Sequence, residues 1–306
     1  MQSRKKVIGV FLLVLCVSVG IAAEPALTFT FRDVLFPHSA QETDTYGLNN
    51  ANAIAGDYVD NAGIQHGMIL GGASALFSPF TTADRPDCVT TPGSTSISFY
   101  GINSAGVAAG WCTNTSGVEI GFTFSKGTFT DIKISGATLI NANGINDSGA
   151  VVGTYIDSSG TQHGFLLVGG TLTKLDPPGT VSLNTAWGIN NAGVITVYGS
   201  NSSGTYLSFT TADNGKTYTP FHAPGEGSTG TAIHQINNNG DLIATYFDSS
   251  GNRHGVLYHA STFYSFDDPS GVGSTRADGL NDNLVIVGRY GSGVYGGVGF
   301  QAFTKQ

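Results

Sequence analysis

Charge is scarce in this sequence, and positive charge scarcest. The 13 Lys and Arg stand against 21 Asp and Glu, and together they make up only 11% of 306 residues. Phosphate backbones and anionic membrane surfaces attract clustered cations, so neither is an expected partner. Cysteine is nearly absent, with three residues, and their spacing matches no zinc pattern. No Ser/His/Asp order and no glycine-rich phosphate loop appears. Glutamate is limited to Glu24, Glu42, Glu119 and Glu226, a thin supply for the facing carboxylates of glycoside hydrolysis. No segment of useful length carries the 3.6-residue apolar period of a helix, so the chain is expected to be all-β.

Long apolar runs are missing too, apart from Val7 to Val19. This run follows Arg4, Lys5 and Lys6 and precedes Ala22 and Ala23, the layout of a secretory signal. It is shorter than the ~20 residues of a membrane span, and Leu15 before Cys16 does not fit a lipidation signal. Residues 1–23 are therefore expected to be a signal peptide and residues 24–306 one exported domain, periplasmic or extracellular. Cleavage would leave ten bases against 21 acids. Cys88 and Cys112 would then either stay free thiols or pair in an oxidising compartment. Pairing is the expectation, worth roughly 3 kcal/mol for a loop of this size.

What the chain has in abundance is glycine, 44 residues, about twice the usual ~7% share. Much of it is periodic. Gly47-Leu48-Asn49, Gly101-Ile102-Asn103, Gly144-Ile145-Asn146, Gly188-Ile189-Asn190, Gln235-Ile236-Asn237 and Gly279-Leu280-Asn281 are six copies of one motif, separated by 54, 43, 44, 47 and 44 residues. The long interval carries an insertion around Asp84 to Ser94. Each copy reads as four strands joined by tight turns. In the third copy these are a strand ending in Gly144-Ile145-Asn146, then Ala150 to Ile156, Gln162 to Val168 and Thr171 to Leu175. Asn and Asp side chains can bond backbone amides two residues on, and the trailing glycine supplies the positive φ of a tight turn.

Six four-stranded units at this period predict a six-bladed β-propeller. The sixth copy ends after its third strand, Val298 to Thr304, and Leu27 to Leu35 is strand-like and precedes the first copy. The N-terminal strand is therefore expected to complete the last blade and close the ring.

The run Gly-Ile-Asn-x-x-Gly-x-Val-x-Gly-x-Tyr, with a turn and then His-Gly-Phe-Leu, resembles the extracellular HAF repeats of bacterial secreted proteins. The resemblance covers nearly all of residues 24–306 and implies an exported repeat protein without a defined activity. This chain departs from it with Gly for Ala at His66-Gly67-Met68, His163-Gly164-Phe165 and His254-Gly255-Val256, and the second, fourth and sixth copies lack the His. These histidines fall on third strands of alternate blades, more than ~20 Å apart at ~4.8 Å per strand spacing, whereas zinc ligands converge to ~2 Å from the ion. Each is expected to bond a turn within its own blade. The Asp157-Ser158-Ser159-Gly160 and Asp248-Ser249-Ser250-Gly251 turns bring too few oxygens for calcium.

Thr211 to Tyr218, TADNGKTY, resembles the Asp-box of sialidase-type propellers. The box implies a structural hairpin between third and fourth strands, here Tyr206 to Thr210 and Lys216 to Phe221. Sialidases clamp a substrate carboxylate with three arginines, while Arg32, Arg85, Arg253, Arg276 and Arg289 form no motif. Arg253, in a turn that holds Gln in other copies, is expected to be exposed.

Together these observations predict a secreted, monomeric, non-enzymatic binding module, without catalytic residues, metal or cofactor, for a protein or carbohydrate ligand. The alternatives are a carbohydrate-active hydrolase or lyase using the channel mouth, and a structural envelope protein. The expected ligand contacts are Arg85, Asp87, Phe99 and Tyr100, on or near the inserted loop.

Overall fold

The computed structural model describes residues 27–35, 42–71, 80–88, 97–291 and 297–305. The expected signal peptide, residues 1–23, and the part of the insertion beyond Cys88 lie outside the described residues. Among those described, every regular element is a strand, so no helix is long and apolar enough to cross a membrane.

The strands fall into six antiparallel blades. β1 is Thr28–Val34. The first blade is β2 Glu42–Leu48, β3 Ile54–Val59, β4 Gln65–Leu70 and β5 Phe80–Ala83; the second is β6 Ile97–Ile102, β7 Ala108–Thr113, β8 Glu119–Ser125 and β9 Thr128–Asp131. The third is β10 Leu139–Ile145, β11 Val151–Ile156, β12 Gln162–Val168 and β13 Thr171–Leu175; the fourth is β14 Ser182–Ile189, β15 Ile195–Ser200, β16 Tyr206–Thr211 and β17 Thr219–Phe221. The fifth is β18 Thr231–Ile236, β19 Leu242–Phe247, β20 Arg253–His259 and β21 Thr262–Phe266, and the sixth is β22 Arg276–Leu280, β23 Val285–Tyr290 and β24 Val298–Lys305. β1 completes the sixth blade by pairing antiparallel with β24, from Thr28 opposite Lys305 to Val34 opposite Gly299. A parallel contact of Thr43 with Val298 joins the sixth blade to the first. The ring is closed as the sequence predicts, with strand ends moved by up to three residues, the most at β17, expected from Lys216 and found from Thr219.

The repeated asparagine explains why the motif recurs. Each Oδ1 serves its own turn, as Asn146 Oδ1 does by accepting the amides of Ser148 and Ala150. Each Nδ2 donates to the main-chain carbonyl of the equivalent asparagine in the next blade, from Asn49 to Asn103 and on to Asn146, Asn190, Asn237 and Asn281. Asn281 returns the chain of bonds to Asn49 at 3.2 Å. The preceding glycine lets these inner strands approach: a Cβ on Gly47 would lie 2.7 Å from the Tyr100 carbonyl oxygen, and one on Gly144 2.6 Å from that of Trp187. Cores form between blades, for example Ala55 of the first blade against Phe99 and Phe122 of the second. That packing also accounts for Gly instead of Ala after the repeat histidine, because a Cβ on Gly67 would stand 2.4 Å from the Phe99 ring.

Cys88 and Cys112 form a disulfide, with Cα atoms 5.9 Å apart. It ties the segment leaving the first blade to β7 of the second.

Candidate functional site

Each of the six inner strands carries a register irregularity just before its Gly-Ile-Asn end. The ladder skips Tyr46, Tyr100, Asn143, Trp187 and Asp278, and in the fifth blade both His234 and Gln235. A bulge re-aims the side chain it carries, and here the skipped residues reach one another around the channel. Tyr46 and Tyr100 rings lie 4.3 Å apart, and Tyr100 meets Trp187 edge-on at 5.4 Å, bridging the second blade to the fourth. Trp187 in turn lies 5.0 Å from His234 of the fifth.

A second tier is formed, in five of the six blades, by cross-strand pairs one step before the bulge. These are Asp44 with Asp57, Ser98 with Trp111, Asn141 with Thr154, Thr185 with Tyr198, and Arg276 with Arg289. The pairs are small and polar on the third blade and aromatic on its flanks. They leave a cavity of about 240 Å³ lined by Tyr100, Trp111 and Trp187 and by Asn141, Asn143, Thr154, Thr185, Gln162 and Glu119. Asn141 Oδ1 and Thr154 Oγ1 are buried there without a hydrogen-bond partner.

Opposite this cavity the channel wall is charged. Two aspartates pair on the first blade and two arginines on the sixth, each an unfavourable like-charge neighbour, and they compensate across the seam between blades. Arg289 bonds Asp44 and also donates to the Tyr46 hydroxyl at 2.7 Å, while that hydroxyl donates to Asp44 at 3.1 Å. Arg276 Nε donates to Asp278 at 2.7 Å. The two guanidinium groups lie over aromatic faces, Arg289 5.1 Å from the Tyr46 centroid and Arg276 5.3 Å from that of Trp187. Burial, reinforced by Asp44, pushes the carboxyls of Asp57 and Glu42 far above the usual carboxylate range. Burial also pushes His234 down to about 4, so at neutral pH it is uncharged, with Nδ1 donating to the Ala277 carbonyl at 2.6 Å. Asp44 Oδ1 and Asp278 Oδ2 are buried without a partner.

At its other end, past the ring of Leu48, Ile102, Ile145, Ile189, Ile236 and Leu280, the channel narrows to a basin of about 60 Å³ rimmed by the asparagines. Asp147 and Asp282 lie on opposite blades of that rim, and their oxygens are taken up by Ser104 and Asn191, and by Asn50 and Asn238.

The structure does not gather the four expected ligand contacts into one place. Tyr100 lines the channel. Phe99 is fully buried between the first two blades. Arg85 is clamped by Asp87 and by Asp131 of β9, against the Phe122 and Phe129 rings. Arg253 is half-buried instead of exposed, because its guanidinium donates to the carbonyls of Ser274 and Gly291. The repeat histidines bond within their own blades: His66 lies between Asp60 and Asp84, His163 between Asp157 and Asp176, and His254 between Asp248 and Asp267. The box at Thr211 is the hairpin between third and fourth strands, where Asp213 accepts the Thr217 amide at 2.9 Å and so draws Lys216 to Tyr218 into the turn. Tyr46, Asn143, Trp187, His234 and Asp278 escape sequence reading because no residue type recurs at their position and strand alternation does not reveal the bulge there. Their signal is positional: they stand just before the motif's Gly, or before Gln235, and vary there while their neighbours repeat.

No known protein family matches this chain, and no curated protein does. Solved structures do match it in fold. A mutant lectin of Aleuria aurantia in complex with Fucα1-6GlcNAc superposes with a TM-score of 0.54 at 13% identity, over 88% of this chain and 97% of the lectin. Another structure of that lectin, described as a six-bladed β-propeller with a novel fucose recognition mode, gives 0.52 at 12%, over 85% and 91%. A sialidase of Trypanosoma rangeli gives 0.53 at 9%, over 87% of this chain and 55% of the enzyme. At these identities the likeness is one of fold, and this chain is a six-bladed β-propeller of the architecture those lectins share.

Proposed function

We propose that this protein is an exported carbohydrate-binding propeller whose site is the aromatic end of the channel. The observation that carries the reading is the cavity between Trp111 and Trp187, where Asn141 Oδ1, an acceptor, and the Thr154 hydroxyl, which can accept or donate, have no partner. A buried acceptor without a donor is costly, so the fitting ligand brings hydroxyl donors together with an apolar face for the rings, as a pyranose does. About 240 Å³ is below the ~300–1,000 Å³ of drug-sized ligand sites, which suits one sugar unit of a longer glycan. The fucose-bound lectin on the same architecture supports the reading. Export and the HAF-repeat resemblance are part of the proposal, and the disulfide is in keeping with an oxidising compartment.

The carboxyl groups favour binding over turnover. Glu42 is hydrogen-bonded to Asp44, whereas glycosidases hold their two carboxyls about 5 Å apart or more to admit the sugar or water.

Calorimetry of the protein with a panel of mono- and oligosaccharides tests the proposal. Trp187→Ala and Thr154→Val are each expected to weaken binding, the first at least tenfold and the second several-fold, with thermal unfolding followed to confirm folding. A glycan bound equally well by both folded variants would place its site elsewhere.

A further inference from the structure

The aromatic wall of the sugar cavity continues past it. On the third blade the cavity is lined by Thr154, Ile156 and Gln162, at the last rungs before the turn between second and third strands, where Ile156 stands opposite Gln162. The same rungs of the next two blades put Tyr198 at the position of Thr154, Tyr206 at that of Gln162 and Phe247 at that of Ile156. These rings follow on from Trp187, a wall of the cavity. Trp187 lies 6.3 Å from Tyr198, Tyr198 5.6 Å from Tyr206, and Tyr206 6.2 Å from Phe247 of the fifth blade.

Packing between blades does not call for aromatic residues there. The equivalent positions hold Asp57, Val59 and Gln65 on the first blade and Thr154, Ile156 and Gln162 on the third, and both blades keep their apolar cores. Tyr198, Tyr206 and Phe247 are each only half-buried. Among the described residues neither tyrosine hydroxyl has a hydrogen-bond partner, and neither is sealed from solvent.

The run is held rigid by the main chain beneath it. The Tyr206 amide donates to the Thr229 carbonyl at 2.9 Å and the Phe247 amide to that of Gly230 at 3.2 Å, so the segment leading into β18 stitches the two blades together at these rungs. Polar side chains bound the run, because Glu119, Gln162 and Arg253 take the position of Tyr206 on the second, third and fifth blades. Fixed rings with open hydroxyls at their edges suit a chain of sugar units, each with an apolar face and hydroxyl groups, and being fixed beforehand they lose little freedom on binding.

We propose that Tyr198, Tyr206 and Phe247 form subsites for the units that follow the cavity-bound sugar, so that the protein recognises a linear oligosaccharide along its length. This rests on the glycan reading of the cavity. The occupant is the same chain, since the ring that starts the path, Trp187, also lines the cavity.

Both tryptophans of the protein line the cavity, so tryptophan fluorescence reports its filling while calorimetry gives the affinity. The probes are the methyl glycosides of glucose, mannose, galactose and N-acetylglucosamine and the matching β-1,4-linked tetrasaccharides. For the sugar that fills the cavity, the tetrasaccharide is expected to bind at least tenfold more tightly than the methyl glycoside. Tyr206→Ala and Phe247→Ala are each expected to cut that preference below threefold by weakening the tetrasaccharide alone, and Tyr206→Phe, which keeps the ring, to retain it. Thermal unfolding confirms that the variants fold, and the length dependence of the parent remains a test where an alanine variant does not.

A tetrasaccharide that binds no more tightly than its methyl glycoside overturns the path and leaves the cavity reading standing. A length preference that both folded alanine variants retain also overturns it, by putting the further units on another wall. A parent that runs as a dimer and becomes monomeric with Phe247→Ala gives the rings to a second copy and overturns it too. If no saccharide binds, the glycan reading fails and the path with it.

Discussion

Removing residues 27–35 is expected to abolish cooperative folding, because this one strand closes the ring and fills two of its cores. β1 pairs with β24 along its whole length. Its Phe29 and Phe31 pack on Phe266 of the fifth blade, and Phe31 also on Phe300 of the sixth, with centroids 4.7, 6.1 and 5.5 Å apart. Leu27 joins the same cluster, and Val34 joins another with Leu48 and Val285. Burial of a large apolar side chain contributes about 1.5–3 kcal/mol. Even with the partly exposed phenylalanines discounted, losing four such groups and a strand ladder approaches the whole ~5–15 kcal/mol stability of a domain. Deletion also strips the edge of β24 and invites intermolecular pairing. Urea unfolding followed by circular dichroism should lose its sigmoidal transition, and a synthetic peptide of residues 27–35 added in trans should restore part of it. A deletion variant with an unchanged midpoint would mean that the ring is held shut elsewhere, the asparagine circuit being the obvious place.

Ring closure was legible from sequence because it is a matter of counting. A repeat that ends one strand short and begins one strand long has a single economical solution. The motif glycine and asparagine were legible for the same reason, since a backbone approach and an inter-blade hydrogen bond recur identically in every blade. The site was hidden because it consists of what differs between blades. Trp187, His234 and Asp278 occupy one structural position, and no alternation rule says that a bulge turns that position toward the channel. Tyr100 was picked out for its neighbourhood to the inserted loop, yet its contacts are with Tyr46, Trp111 and Trp187. Arg85 and Asp87 attract attention as charges in a chain with few, and they are occupied with each other.

The crowded carboxyls should also make the protein lose stability as pH rises from about 6.5 to 8. Asp57 is buried next to Asp44, with Glu42 and Arg289 close by and hydrogen bonds from Ser98 and Gln65, and its folded-state pKa is raised to about 8. An unfolded aspartate titrates near 3.9, so between these values the folded protein holds a proton that the unfolded chain has lost. Stability therefore falls with pH across that interval, by about 1.4 kcal/mol per pH unit for each such proton. His234 acts in the opposite sense. Its folded value of about 4 lies below the ordinary ~6.5, so stability rises with pH up to about 6.5 and offsets the carboxyl effect there. Above 6.5 the carboxyl effect stands alone, about 2 kcal/mol from Asp57 by pH 8 and less from half-buried Glu42, which water screens. Asp57→Asn keeps an acceptor for the Ser98 hydroxyl, which donates to Asp57 at 2.7 Å, and removes the proton. It should flatten the profile above pH 6.5 and leave the variant more stable than the parent at pH 8.5. Chemical denaturation at half-unit pH intervals measures this directly; a parent profile that is flat or rising from 6.5 to 8, or an Asp57→Asn profile with the parent's slope, would show that this carboxyl is ionised in the folded ring.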